Sequence, residues 1–226
     1  GPLAVLVNRF SASASEIFAA AIQDYKRGAI IGEQTYGKGT VQNLVDLNRY
    51  LNISDRQFGQ VKLTIAKFYR ITGGSTQRKG VQPDISLPST TDVSKFGEDS
   101  ERSALPWDQI KQVSFIPMNK IVNGTIGKLT QLHNKRVKSD TKYNDLIEQI
   151  AELKRRASET SVSLQEAKRK KEREELEKRK NGKDGKSLLP ENEDPDSEPD
   201  KKDDEPDVLL NETVHILTDM ATIVKR

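Results

Sequence analysis

Three serines on alternate positions, Ser11, Ser13 and Ser15 of S-A-S-A-S-E, precede the run I-F-A-A-A-I, which reads as helix. A serine hydroxyl is a weak nucleophile until a base removes its proton. The same hydroxyls also start helices. Ser13 and Glu16 form the S-x-x-E pattern of a capping box, in which hydroxyl and carboxylate satisfy unpaired N–H groups of a first turn. Both readings are open on the hexamer alone. The only histidines, His133 and His215, lie far along the chain inside amphipathic helical patterns, where a packed or surface imidazole is the ordinary case. Two isolated histidines without H-E-x-x-H spacing hold no zinc. The chain has no cysteine, so thiolate nucleophiles, disulfides and cysteine-ligated metals are excluded.

A second stretch with chemical potential is G-E-Q-T-Y-G-K-G-T, residues 32–40. It matches the first seven positions of a phosphate-binding G-x-x-x-x-G-K loop. Two features speak against nucleotide: Gly39 stands where Ser or Thr would ligate Mg²⁺, and T-V-Q-N-L-V reads as strand rather than the helix such a loop must open. Lysine has another use. A Ser-His-Asp arrangement is possible in principle, since triads assemble across the fold; without histidine, a neutral lysine amine can take the serine proton, and burial away from water favours the neutral form. A lysine between two glycines at a strand junction suits that role, since glycine lets backbones approach closely.

The elements that must position these residues alternate in type. Leu3–Val7 is a short apolar run fit for a buried parallel strand, with no Met start, signal segment or preceding element, so the chain is expected to begin inside a domain. A helix is predicted from about Ser13 to Tyr25. Strands are predicted at Ala29–Ile31, Thr40–Leu47 and, half-buried by its period of two, Val61–Tyr69. Gly73-Gly74 marks a turn, and residues 80–85 lead out as an extended segment. Strand, helix, strand at this spacing predicts an α/β fold over residues 1–88.

Residues 89–103 are polar and aperiodic, the composition of a linker, and 104–226 form a helical domain. Tyr143, Leu146, Ile147, Ile150 and Leu153 share one helical face. Ile126, Leu129 and Leu132 suggest an earlier helix; Leu209 to Ile223 suggest a last one, capped by Asn211 with Glu212 in its first turn. Within the charged, mobile-looking stretch 167–207, A-K-R-K-K-E-R-E-E-L-E-K-R-K reads as a solvated helix and the acidic part as a loop. In all, 226 residues are 34% hydrophobic and 31% charged, with a net charge of +3 that argues against a general nucleic-acid binder. No apolar run approaches the ~20 residues that cross a bilayer, and no repeat is present.

Three stretches in order resemble the tail-specific, or C-terminal processing, serine proteases: V-L-V-N-R-F-S-A-S-A-S-E-I-F-A-A-A-I, G-E-Q-T-Y-G-K-G-T-V-Q and F-Y-R-I-T-G-G-S-T-Q-R-K-G-V-Q-P-D-I. A-L-P-W-D and E-P-D-V-L-L-N-E-T-V resemble that family's helical C-terminal domain. The resemblance implies a Clp/crotonase-like core, the middle serine Ser13 as nucleophile and Lys38, 25 positions on (38 − 13), as base. It implies Gln42 as the residue orienting the amine and the Ala14 N–H as an oxyanion donor at the positive end of a helix. No cofactor or metal is implied. The expected partners are protein or peptide substrates with accessible C-termini, with an adaptor protein as a further partner, and the expected location is periplasmic. Family members carry a PDZ domain, earlier core strands and a second oxyanion donor from a glycine, absent from these residues. A C-terminal fragment, weak or inactive by itself, is therefore expected. The rival readings are a non-catalytic scaffold and a nucleotide binder through Gly32–Lys38.

Overall fold

The computed structural model describes residues 1–50, 57–92, 95–161, 163–171, 174 and 207–224. Strand β1 (Ala4–Val7), helix α1 (Ala14–Asp24) and strand β2 (Ala29–Gly32) form a βαβ unit in which the strands pair in parallel, Ala4 opposite Ala29 and Val7 opposite Gly32. Strand β5 (Ile85–Ser86) joins the other edge of β2, giving the order β1-β2-β5. A central strand needs apolar residues on both faces, and Ala29, Ile30 and Ile31 are all fully buried. Ala19 and Ala20 of α1 pack with Ile30, Val7 and Val81 on one face; small side chains bring helix and sheet close together.

Strands β3 (Thr40–Asp46) and β4 (Gln60–Lys67) make a separate antiparallel ribbon with a bulge between Val41 and Gln42. The alternation of β4 predicted a half-buried strand, yet Gln60–Ala66 are exposed throughout. The ribbon stands apart from the parallel sheet, so its apolar residues face water; Ile65 is 61% exposed.

Helices α2 (Thr125–Val137), α3 (Thr141–Ala157) and α4 (Val208–Val224) follow. Asp140 caps α3 through the Tyr143 N–H (3.1 Å), and Tyr143, Leu146 and Ile150 form its buried stripe. Helix α4 starts earlier than predicted. Asp207, not Asn211, is its cap, accepting from the N–H groups of Leu209 and Leu210 (2.9 and 3.0 Å), while Asn211 N–H bonds back to the Asp207 carbonyl inside the first turn. Almost all of the charged stretch 167–207 lies outside the described residues.

The helices and the sheet share one core. Leu129 of α2 and Ile216 and Met220 of α4 pack against Ala29, Ile31, Ile85 and Leu87 on the second face of the parallel sheet. The residues expected as a linker are docked too. The Phe96 ring lies tilted against Phe10 (centroids 4.8 Å) and edge-on to Tyr36 (5.5 Å), and its carbonyl accepts from Arg9 Nε at 2.6 Å.

The two histidines are structural in type. His133 is buried, with Nδ1 2.8 Å from Glu212 Oε1 and its ring edge-on to Tyr143. Arg136 donates to both Glu212 oxygens and to Asp219. His215 is mostly exposed.

Candidate active site

Ser13 occupies the sharp turn between β1 and α1. Its backbone sits at φ 58°, ψ −113°, where residues with a side chain are rarely found; such strain costs of order 1–3 kcal/mol and concentrates at functional turns. The flanking serines are engaged locally. Ser11 Oγ accepts from the Asn8 N–H (3.2 Å), and the Ser15 hydroxyl donates to the Ala12 carbonyl (2.8 Å). Ser13 and Glu16 occupy the two capping-box positions, and Ser13 N–H donates to Glu16 Oε2 at 2.8 Å. Among the described residues the Ala14 N–H has no partner, as befits the first amide of a helix.

Glu16 does far more than cap. Its carboxylate is fully buried and accepts four hydrogen bonds. Oε1 takes the Thr35 hydroxyl (2.5 Å) and the Gly37 N–H (2.7 Å); Oε2 takes the N–H groups of Ser13 and Lys38, each at 2.8 Å. The backbones of Ser13 and Lys38 are thereby fixed to one oxygen although far apart in sequence. The Thr35 hydroxyl in turn accepts from the Val81 N–H at 2.7 Å, tying the cluster to the strand lead-in. Arg9, also buried, has its ionisation pulled below the ordinary value by burial, which the nearby Glu16 charge opposes.

Lys38 lies between two glycines, both anchored. Gly37, at φ 95°, offers its carbonyl to the Arg78 N–H (2.7 Å), and a side chain there would press on the Arg78 backbone at 3.0 Å. Gly39 N–H donates to Gln77 Oε1 (2.9 Å), and its carbonyl accepts from Phe68 N–H (3.0 Å). The Lys38 side chain is half-buried, and its amine has neither hydrogen-bond nor ion-pair partner among the described residues. From Thr40 the chain runs directly into β3 and not into a helix, so the phosphate-loop reading of residues 32–40 fails. Gln42 sits on β3 just after the bulge, opposite Thr64, with an exposed side chain; no hydrogen bond joins it to Lys38.

The structure thus brings the backbones of Ser13, Ala14 and Lys38 together and leaves Gln42 unconnected. Glu16 and Gln77 were the residues sequence reasoning missed. S-x-x-E signals a local cap, and nothing in it signals that the same carboxylate reaches residues 35–38.

Residues 1–87 match peptidase family S41, and residues 91–222 match the C-terminal domain of tail specific protease. The chain is 43% identical over 166 residues to the tail-specific protease of Haemophilus influenzae, covering 73% of this chain and 24% of that protein. It is 44% identical over 86 residues to the chloroplastic C-terminal processing peptidase of Tetradesmus obliquus, covering 38% of this chain and 17% of that one. Among solved structures it is similar to the photosystem II D1 C-terminal processing protease, at 42% identity over 41% of this chain and 22% of that chain, with a TM-score of 0.33. The chain spans about a quarter of the length of the Haemophilus relative.

Proposed function

The chain belongs to the tail-specific protease family of S41 peptidases, and from that premise we propose that it carries the Ser–Lys site of a serine endopeptidase on a Clp/crotonase-like core. The observation that supports this most is the Glu16 carboxylate, which holds the strained Ser13 turn and the Lys38 loop on one oxygen. A buried anchor of that kind is what an assembled dyad requires, since a dislocation of 1 Å costs about 10²-fold in rate.

In the proposed reaction the Lys38 amine takes the Ser13 proton as Ser13 Oγ attacks the peptide carbonyl. The Ala14 N–H, at the positive end of α1, receives the oxyanion. The amine leaves with the proton that Lys38 returns, and an ester joins the acyl group to Ser13. Water, deprotonated by Lys38, then hydrolyses that ester. Gln42 is proposed to hydrogen-bond the lysine, which requires its exposed side chain to swing from its position here.

The proposed substrates are proteins with accessible C-terminal tails, in an extracytoplasmic compartment, with an adaptor protein as a further partner. The 226-residue chain is proposed to turn over slowly by itself. Phe10, Ile17 and Phe18, which flank Ser13, are 68, 47 and 54% exposed, so apolar surface beside the proposed nucleophile stands uncovered in this chain.

The test is cleavage of an unfolded substrate with an apolar C-terminus by the full-length protein. Ser13→Ala and Lys38→Ala are expected to lose at least about 10³-fold in kcat, with Ser15→Ala nearly unaffected. Wild-type cleavage by Ser13→Ala would remove the nucleophile assignment.

A further inference from the structure

The first segment of the helical domain, residues 104–113, is laid along the turn that follows β4. Trp107 Nε1 donates to the Ser75 carbonyl at 2.8 Å, Ser75 N–H to the Asp108 carbonyl at 3.2 Å, and Ile110 N–H to the Gly73 carbonyl at 2.9 Å. The Lys67 ammonium closes the outer side, donating to the Pro106 carbonyl and Asp108 Oδ1, both at 2.9 Å. The Lys79 ammonium sits 3.5 Å over the Trp107 ring, a cation–π contact.

The far face of the same turn supports the Lys38 loop. Its central residue, Gln77, is fully buried and makes three side-chain hydrogen bonds. Its Oε1 accepts the Gly39 N–H (2.9 Å), next to Lys38. Its Nε2 donates to Glu98 Oε1 (2.9 Å) and to the Leu105 carbonyl (3.1 Å), both in the stretch leading into the helical domain. The packing is close on the active-site side. A Cβ on Gly39 would lie 2.7 Å from the Gln77 backbone nitrogen and 2.8 Å from Ser75 Oγ.

We propose that Gln77 is a positioning residue of the active site, coupling the Lys38 loop to the seated 98–113 segment, so that cleavage depends on docking of the C-terminal domain. The coupling rests on the reading of Lys38 as the base. One amide serves two clients with opposite ends: its acceptor fixes the lysine loop, and its donors bind groups that are in place only when the C-terminal segment is docked. A buried polar group that loses its partners is costly, so release of Glu98 and Leu105 removes the reason for Gln77 to hold its rotamer, and Gly39 loses its acceptor with it.

The experiment uses the full-length protein and an unfolded substrate, with kcat, KM and the thermal midpoint measured for each variant. Gln77→Ala is expected to lower kcat 10- to 100-fold with KM within threefold. Gln77→Glu sets two carboxylates against each other and is expected to lose as much. The swap Gln77→Glu with Glu98→Gln restores the bond between residues 77 and 98 with reversed polarity, while the Leu105 carbonyl stays without its donor, and is expected to recover at least fivefold over Gln77→Glu without reaching wild type. A merely structural role would lower stability without a kcat-only loss and without recovery by the swap. A Gln77→Ala kcat within twofold of wild type, or a swap no better than Gln77→Glu, overturns the proposal. If Gln77→Ala does not fold, Glu98→Ala, at a half-buried side chain, is expected to show a threefold or larger kcat loss, and an unchanged kcat there overturns it equally. Lys38→Ala is run alongside. Its cleavage at the wild-type rate would refute the base assignment and the coupling together, whereas its inactivity with an active Gln77→Ala would refute the coupling alone.

Discussion

Replacing Glu16 by glutamine removes one of two carboxylate oxygens and puts an NH₂ donor in its place, without changing shape. In one amide orientation the NH₂ faces the Ser13 and Lys38 N–H groups, two donors that lose their only acceptor. In the other it faces the Gly37 N–H and the Thr35 hydroxyl, which already accepts from Val81. No orientation serves all four. Each buried donor left unpaired costs about 1–3 kcal/mol, so Glu16→Gln is expected to destabilise the fold by about 2–4 kcal/mol. At about 2–4 °C per kcal/mol for a chain of this size, the thermal midpoint should fall by roughly 5–15 °C. The kinetic effect is larger than the loss of folded protein explains, because the freed amides are those of the Ser13 turn and the Lys38 loop, the proposed nucleophile and base. A kcat loss of about 10²-fold is expected at a temperature where the variant is fully folded. Circular dichroism melting and peptide cleavage by the full-length protein measure the two separately. A midpoint within 2 °C of wild type together with kcat within threefold would refute the reasoning, since a carboxylate with four buried donors cannot be neutralised silently.

Three further outcomes follow from the packing. Gly39→Ala places a Cβ 2.7 Å from the Gln77 backbone nitrogen, so the Lys38 loop must shift; kcat should fall at least about tenfold, whereas Gly127→Ala, in open space on α2, should be neutral or raise stability by about 0.5–1 kcal/mol. Leu129→Ala, in the core shared by helices and sheet, should cost about 2–5 kcal/mol, and melting followed by helix and by tryptophan signals should remain one transition; two separated transitions would contradict a shared core. For Glu212, burial pushes the carboxyl upward, but hydrogen bonds from Arg136 and His133 outweigh it and hold the carboxyl below its ordinary value. A depressed folded pKa gives stability that is present above the unfolded value of about 4.3 and lost as pH falls through the folded one. The thermal midpoint should therefore drop as pH falls below about 4.5, and Glu212→Gln should start lower and drop less; an equal drop in both would exclude this pair as the source.

What the sequence made legible is what repeats over short distances. The period of α3 is visible because Tyr143, Leu146 and Ile150 need only each other and one partner surface to define a face. The apolar run of β2 is visible because a central parallel strand has no polar side. The same local rule misled at β4, where alternation reads as a buried face although the ribbon stands clear of the sheet, and at α4, where Asn211 and Asp207 are both capping types four residues apart. Which of two equivalent caps is used depends on where the preceding chain turns.

The candidate site was legible in its residue types and opaque in its wiring. Ser13, Ala14 and Lys38 stand out in short motifs, but the groups that hold them are named by pairings that no window of sequence contains: residue 16 with 35, 37 and 38, and residue 77 with 39, 98 and 105. Both hubs are buried polar side chains with each polar atom bonded, and burial of a polar group is tolerated only when it finds partners. That condition makes each hub sensitive to all its contacts at once. Loosening the C-terminal segment around Leu105 perturbs Gln77, then Gly39, and through the Lys38 amide the Glu16 carboxylate that also holds Ser13. In this arrangement the C-terminal domain, which contributes neither Ser13 nor Lys38, belongs to the structure of the site.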